Sequence, residues 1–317
     1  MNFRGLIVAV VVLATLGGVL YWSQHHTPAA ETAALPANTA PVILKVNPAD
    51  VTELVIKQKE PVTLKKTNGK WQITEPKPYS ADQEAVAGVL STLSGLNADR
   101  VVDEKTSDRK QYGLDPAETE LDISGKDNTT RKLLLGDDTP TGGDVYAALA
   151  TDPRVFTIAS FQKSSLAKNL NDLRDKSLVT LSADKVSRVE LLKKGEDLEF
   201  DRTKDGWQIL KPSSSPADSA VVNALVSTLT NARMDLSTTA DAAAAFARAT
   251  PLATAKVTGD AGVQTLEVRK NKDDYFAKSS VVDGIYKVDS SLGQALDKKI
   301  DDFREKKPPA TPAPAAK

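Results

Sequence analysis

The chain has 317 residues, 40% hydrophobic and 26% charged, enough for two domains of ordinary size with real cores. Its 41 Lys and Arg balance 42 Asp and Glu, which excludes the basic stripe of a nucleic-acid binder. Cysteine is absent and the only histidines, His25 and His26, precede the folded part; this removes disulfides, thiolate metal sites, a Cys nucleophile and a Ser-His-Asp triad together.

The first element in chain order is an uncharged run, Gly5 to Trp22. About 20 apolar residues in a helix cross a hydrocarbon core of ~30 Å, so residues 1–22 are expected to form one transmembrane helix that anchors the chain. Arg4 precedes the run and no Lys or Arg follows before Lys45, so the N-terminus is expected in the cytoplasm and the rest outside. Tyr21 and Trp22 stand at the far edge, where such rings favour the headgroup layer. The alternative is a cleaved signal peptide, which has a shorter apolar core of about 7–15 residues. The Tyr-Trp-Ser-Gln-His-His end is a poor cleavage context, although the Ala-rich stretch Thr27 to Ala34 offers a place to cut. Residues 23–42, rich in Ala, Thr and Pro, read as a flexible linker.

The remainder repeats itself. Trp71-Gln72-Ile73, Pro76, Asp82 and Ser91-Thr92-Leu93 recur as Trp207-Gln208-Ile209, Pro212, Asp218 and Ser227-Thr228-Leu229, every pair offset by 136 (71 to 207). Leu166, Leu170, Leu173, Arg174 and Lys176 recur as Leu296, Ile300, Phe303, Arg304 and Lys306 at an offset of 130 (166 to 296). A copied pattern of this kind marks tandem folded modules.

Within the first copy, Val51–Lys57 reads as a strand, and Val62–Lys65 and Trp71–Thr74 flank Asn68-Gly69, a strong hairpin signal. Asp82 stands ready to cap a helix whose apolar face is Ala85, Val86, Val89, Leu90 and Leu93. Strands follow at 120–123, 131–135, 145–149 and 154–158, then a closing helix carrying Leu166, Leu170 and Leu173 at i, i+4 and i+7. The second copy has the same plan, with Asp218 ahead of Val221, Val222, Leu225, Val226 and Leu229. The fold class expected is α+β: two tandem repeats of a mainly antiparallel sheet with packed helices, after one N-terminal transmembrane helix. The boundaries are 43–178 and 179–306, with a disordered tail at 307–317.

Tyr112-Gly113-Leu114-Asp115-Pro116, Leu135-Gly136-Asp137-Asp138-Thr139-Pro140 with Tyr146, and Leu173-Arg174-Asp175-Lys176 follow the Trp hairpin in a fixed order. In that order the chain resembles the bacterial family called domain of unknown function 4340, over about Ile43 to Lys306. The resemblance implies a membrane-anchored extracytoplasmic protein, often encoded beside membrane components of an ABC-type transporter related to gliding-motility systems. It implies no reaction and no ligand. The second copy departs from the pattern, with Ala249-Thr250-Pro251-Leu252 in place of Tyr-Gly-Leu-x-Pro and no Leu-Gly-x-x-Thr-Pro loop.

Few residues invite a site. Trp71 and Trp207 are read as core residues rather than stacking platforms, because their repetition in equivalent places suits a shared interior. The loop from Gly136 to Gly143, with Asp137, Asp138 and Thr139, and Asp144 beside it, lacks EF-hand spacing. Most of the six-residue shortening of the second copy is placed there, so Asp137, Asp138, Thr139 and Asp144 are the candidate partner contact. The Arg174-Asp175-Lys176 and Arg304-Glu305-Lys306 triplets read as cations at helix C-termini, with Lys176 and Lys306 pairing to Asp172 and Asp302. Ser107, Ser160, Ser165 and Ser182 each have a Lys three residues on, a spacing expected by chance. The chain is therefore expected to be no enzyme, with no cofactor and no metal, a non-catalytic accessory or scaffold protein of an inner-membrane complex. The competing expectation is a periplasmic module binding glycan or peptide between the repeats.

Overall fold

A computed structural model describes residues 41–237 and 241–305. The expected anchor at 1–22, nearly all of the linker at 23–42 and the tail at 307–317 lie outside the described residues. Among the described residues no helix is long and apolar enough to cross a membrane.

Two antiparallel sheets and seven α-helices make up the described chain, an α+β fold. The first sheet uses β1 (Val51–Lys57), β2 (Val62–Thr67), β3 (Lys70–Glu75), β4 (Tyr79–Ser80), β5 (Arg100–Asp103), β6 (Thr119–Gly125), β7 (Thr130–Asp138), β8 (Asp144–Leu149) and β9 (Val155–Ala159). The second uses β10 (Arg188–Lys193), β11 (Glu196–Thr203), β12 (Gly206–Lys211), β13 (Ser215–Pro216), β14 (Thr250–Gly259), β15 (Gly262–Asn271), β16 (Asp274–Ser279) and β17 (Ile285–Val288). Their orders are β4-β3-β2-β1-β6-β7-β8-β9-β5 and β13-β12-β11-β10-β14-β15-β16-β17. The second order is the first without its last strand, so the duplication read from the Trp and Asp positions is a duplication of topology.

Compact packing divides the chain into two units, one being the part up to Lys59 with Gly88–Ala167, the other Glu60–Ala87 with the part from Lys168 onward. In the first unit Ile56 pairs with Leu121, Leu121 with Leu133 and Leu133 with Leu149, all four in register across β1, β6, β7 and β8. In the second unit the larger core runs from Leu178 to Phe303 and gathers Leu191, Phe200, Trp207, Leu225 and Leu296. Phe303 meets Phe200 in a tilted contact with ring centroids 4.8 Å apart.

Helices α1 (Gln83–Ser94) and α4 (Ser219–Thr230) bury the apolar faces expected of them. Asp82 Oδ1 accepts from the amides of Glu84 and Ala85, and Asp218 Oδ1 from those of Ala220 and Val221. Each cap is itself held by the end of the module: Asp82 N–H donates to Leu173 O and Asp218 N–H to Phe303 O, both at 2.8 Å. The Trp hairpin is tied to the same turn. Gln83 bonds both backbone groups of Trp71, and Ser219 Oγ accepts from Trp207 N–H.

Two expectations are corrected. The closing helix is not continuous: α2 (Ser160–Leu166) stops, and α3 (Leu170–Leu173) restarts behind Asn169, whose side chain and that of Asp172 cap each other's amides. The same break separates α6 (Ser290–Asp297) from α7 (Ile300–Phe303). The i, i+4, i+7 spacing survives because both pieces face one core, and Asp172 accepts from Asn169 N–H through Oδ2 instead of showing the expected ion pair with Lys176. The second correction concerns the segment replacing Tyr112–Pro116. Thr250–Leu252 begin β14, and a helix the periodicity did not reveal, α5 (Ala242–Arg248), lies ahead of them. Its Phe246 packs with Phe276 much as Tyr112 meets Tyr146 edge-on at 5.0 Å in the first copy.

Candidate functional site

The candidate contact residues sit in the hairpin between β7 and β8. Leu135 pairs with Ala147 and Asp138 with Val145, so β7 carries one extra residue at Gly136-Asp137, a bulge. The carbonyl of Gly136 there accepts from Lys163 Nζ at 2.8 Å, and the same ammonium meets Glu118 at 2.6 Å. Lys163 is thus committed away from Ser160. Beyond the bulge, Thr139 N–H donates to Asp144 O and Gly142 N–H to Thr139 O, each at 2.9 Å, which closes the loop around two left-handed glycines, Gly142 and Gly143.

The four residues do not converge. Thr139 is buried and shares its hydroxyl with Thr141. Asp138 is exposed. Asp137 turns its carboxylate over Gly113, where an added Cβ would meet Cγ at 2.3 Å. Asp144 lies near Asp99, whose carboxyl is raised above its ordinary range by burial first and by the charge of Asp144 second. The arrangement can offer carboxylate to a partner surface, but it does not aim two carboxylates at one reacting atom.

The length difference is only partly in this loop. Aligned through the ladders, Leu133 matches Leu266 (offset 133) and Leu149 matches Ser279 (offset 130), so three of the six residues are lost here and the rest earlier. In the second copy the strands meet instead through a tight turn at Lys272-Asp273, with Lys272 at φ 55°.

Beside the loop the structure assembles what the sequence reading missed. The Tyr112–Asp115 stretch packs on the bulge: Leu114, Leu134, Ala148 and Val155 form a small core with Tyr112, Ala117 and Tyr146 around it. Burial, followed by the charge and hydrogen bond of Asp103, raises the Tyr112 hydroxyl above its ordinary value. Along β1, β6 and β7 a charge ladder forms, Lys57 to Glu120 and Asp122, and Lys132 to Glu120. Hydrogen bonds to Asp122 and then Glu120 drive the Lys57 ammonium well above its usual range. The only advance signal was that Tyr-Gly-Leu-Asp-Pro occurs in one copy alone.

Trp71 and Trp207 are 6% and 5% exposed, as core residues, with Lys66 and Arg202 over their rings. Arg174 stands at the C-cap of α3, as expected, but its guanidinium reaches beyond the helix end. It stacks on Tyr79 at 4.0 Å and donates to the Tyr286 hydroxyl at 2.9 Å, all inside the second unit. Among the described residues no group of three or more His, Asp and Glu is placed to hold a metal ion.

No curated protein and no solved structure matches the chain. A family described as Domain of unknown function (DUF4340) matches twice, over residues 71–215 and 207–313, each match beginning on one of the two repeated tryptophans. Two tandem copies, covering most of the chain, place this protein in the DUF4340 family.

Proposed function

We propose that the protein is a non-catalytic scaffold or accessory subunit of an inner-membrane complex, anchored by Gly5–Trp22 and presenting both modules outside the cytoplasm. Arg4 is the retained charge, and the run matches the bilayer in length. An ABC-type transporter is the complex that the family resemblance favours. The carrying observation is where the two copies agree and differ. They agree inside, at the Trp hairpin, the capping Asp and the closing Leu173 and Phe303. They differ at the β7–β8 loop, at Tyr112–Glu118 docked against it, and in β5, which the second sheet lacks, and divergence gathered in connecting segments and a sheet edge suits a module recruited for contact rather than chemistry.

Alkaline phosphatase fused after Lys317 is expected to be active, and the chain to stay in the membrane pellet after a carbonate wash. Purification in mild detergent is expected to bring down the products of neighbouring genes. A chain that runs alone while those neighbours assemble without it ends the scaffold reading, and a soluble chain with a new N-terminus near Ala30 or Ala34 ends the anchor.

A further inference from the structure

A cavity of about 750 Å³ lies in the first unit between the end of β1 and the Leu114–Glu118 stretch. Its charges do not cancel. Lys57 and Lys132 are neutralised by Glu120 and Asp122, and Glu118 by Lys163. Arg109 gives its hydrogen bonds to the carbonyls of Leu149 and Asp152 and its charge acts on the Asp152 carboxylate, but that carboxylate is already bonded to Arg154, so Arg109 has no ion-pair partner of its own among the described residues. Lys59, exposed at the rim, has no carboxylate partner among the described residues, and Asp115 is the one wall carboxylate in the same position. Two free cations against one free anion leave an excess of a single positive charge.

Gln58 lines the cavity too, and its Nε2, turned beneath the wall, is a buried donor that makes no hydrogen bond. A buried amide of this kind is costly until an acceptor meets it. Opposite it the lining is apolar, from Leu114, Pro116, Ala117 and Leu134. In the second copy the register that matches Leu133 to Leu266 matches Ile56 to Leu191, so Leu192 stands at the place of Lys57 and Thr265 at that of Lys132, while Lys194 follows at that of Lys59.

We propose that this cavity binds a carboxylate carried on a short apolar chain. Lys59 and Arg109 supply the charge, a turn of the Gln58 side chain brings its unpaired Nε2 to one carboxylate oxygen, and the hydrocarbon lies on Leu114, Pro116 and Leu134. The single excess charge fits a monoanion, and Asp115 opposes a dianion such as phosphate. Peptide C-termini and small organic acids share this chemistry.

The test titrates the full chain in detergent by calorimetry with four probes: acetyl-Ala-Leu as the free acid, its C-terminal amide, hexanoate and inorganic phosphate. The free acid is expected to bind about tenfold more tightly than the amide, since a charge-assisted bond is exchanged for a neutral one. Lys59→Met and Gln58→Leu are each expected to weaken it several-fold, and Lys126→Met, on another surface, to leave it unchanged. Lys59 is exposed, so its variant folds even if Gln58→Leu does not. Hexanoate matching the peptide assigns the site to organic acids, and hexanoate failing while the peptide binds assigns it to C-termini. Equal binding of acid and amide, stronger binding of phosphate, no heat at 10 mM probe (~2.7 kcal/mol of affinity at most), or binding undiminished by Lys59→Met overturns the proposal. None of these outcomes bears on co-purification with membrane neighbours, so the scaffold reading stands or falls separately.

Discussion

Gly136 lies so close to the carbonyl oxygen of Tyr112 that a Cβ added to it would sit 2.2 Å from that oxygen. One residue further along each segment, Gly113 takes φ +65° beneath the Asp137 carboxylate. The two stretches that are present together in the first copy and absent together from the second are thus one structural feature, docked backbone to backbone. Neither has a use without the other.

Gly136→Ala is expected to cost about 2–3 kcal/mol, because backbone rather than a flexible side chain must move. Gly113→Ala should cost about 1–2 kcal/mol, for the left-handed backbone, since the Asp137 side chain can swing away. Urea unfolding of the two variants checks the order, and a larger loss at Gly113 would contradict it.

Arg174 and Arg304 occupy equivalent places with different neighbours. Arg304 is half exposed, and its guanidinium meets Asp301 at 3.6 Å. Arg174→Ala is expected to cost about 1–3 kcal/mol through the lost stack and hydrogen bond. Arg304→Ala should stay within about 0.5 kcal/mol. A double-mutant cycle of Arg174→Ala with Tyr286→Phe should show coupling of about 1 kcal/mol, and additivity would mean the bond to Tyr286 is idle.

Asp82→Ala and Asp218→Ala each remove an N-cap and should each cost about 1 kcal/mol. Similar losses from both are expected because both carboxylates accept from two amides of the first turn. Thermal melts of the single variants measure this directly.

Two carboxyls should respond to acid in opposite directions. Burial works to raise Glu120, but hydrogen bonds from Lys132 and Lys57 outweigh it and hold the group below its ordinary 4.5. Its stabilising contribution is therefore complete above pH 4.5 and is lost as pH falls through the lower folded value. Asp99 is held above its ordinary 3.8, so it penalises the folded state at neutral pH and not below 3.8. Asp99→Asn should raise Tm at pH 7 and leave it unchanged near pH 3, while Glu120→Gln should lower Tm at pH 7 and lose that effect in acid. A Tm gain from Asp99→Asn that persists at pH 3 would reject the electrostatic cause.

The sequence by itself determined the α+β class, the duplication, the Trp hairpins and the capped helices. These follow from residues a few positions apart: Asn68-Gly69 needs left-handed backbone at φ 52° and 81°, and Asp82 needs only the next turn of its own helix. Only the tertiary structure decided that Gly136 exists for Tyr112, that Arg174 belongs with Tyr79 and Tyr286, and that Gln58, Lys59 and Arg109 share a cavity. Those pairs are separated by tens of residues, and no local periodicity encodes which strand will lie beside which. The loop carboxylates Asp137, Asp138 and Asp144 looked like a cluster because they are close in the chain. In the fold Asp137 lies over Gly113, Asp144 acts on Asp99 and Asp138 is exposed, with a one-residue bulge in the strand that carries two of them.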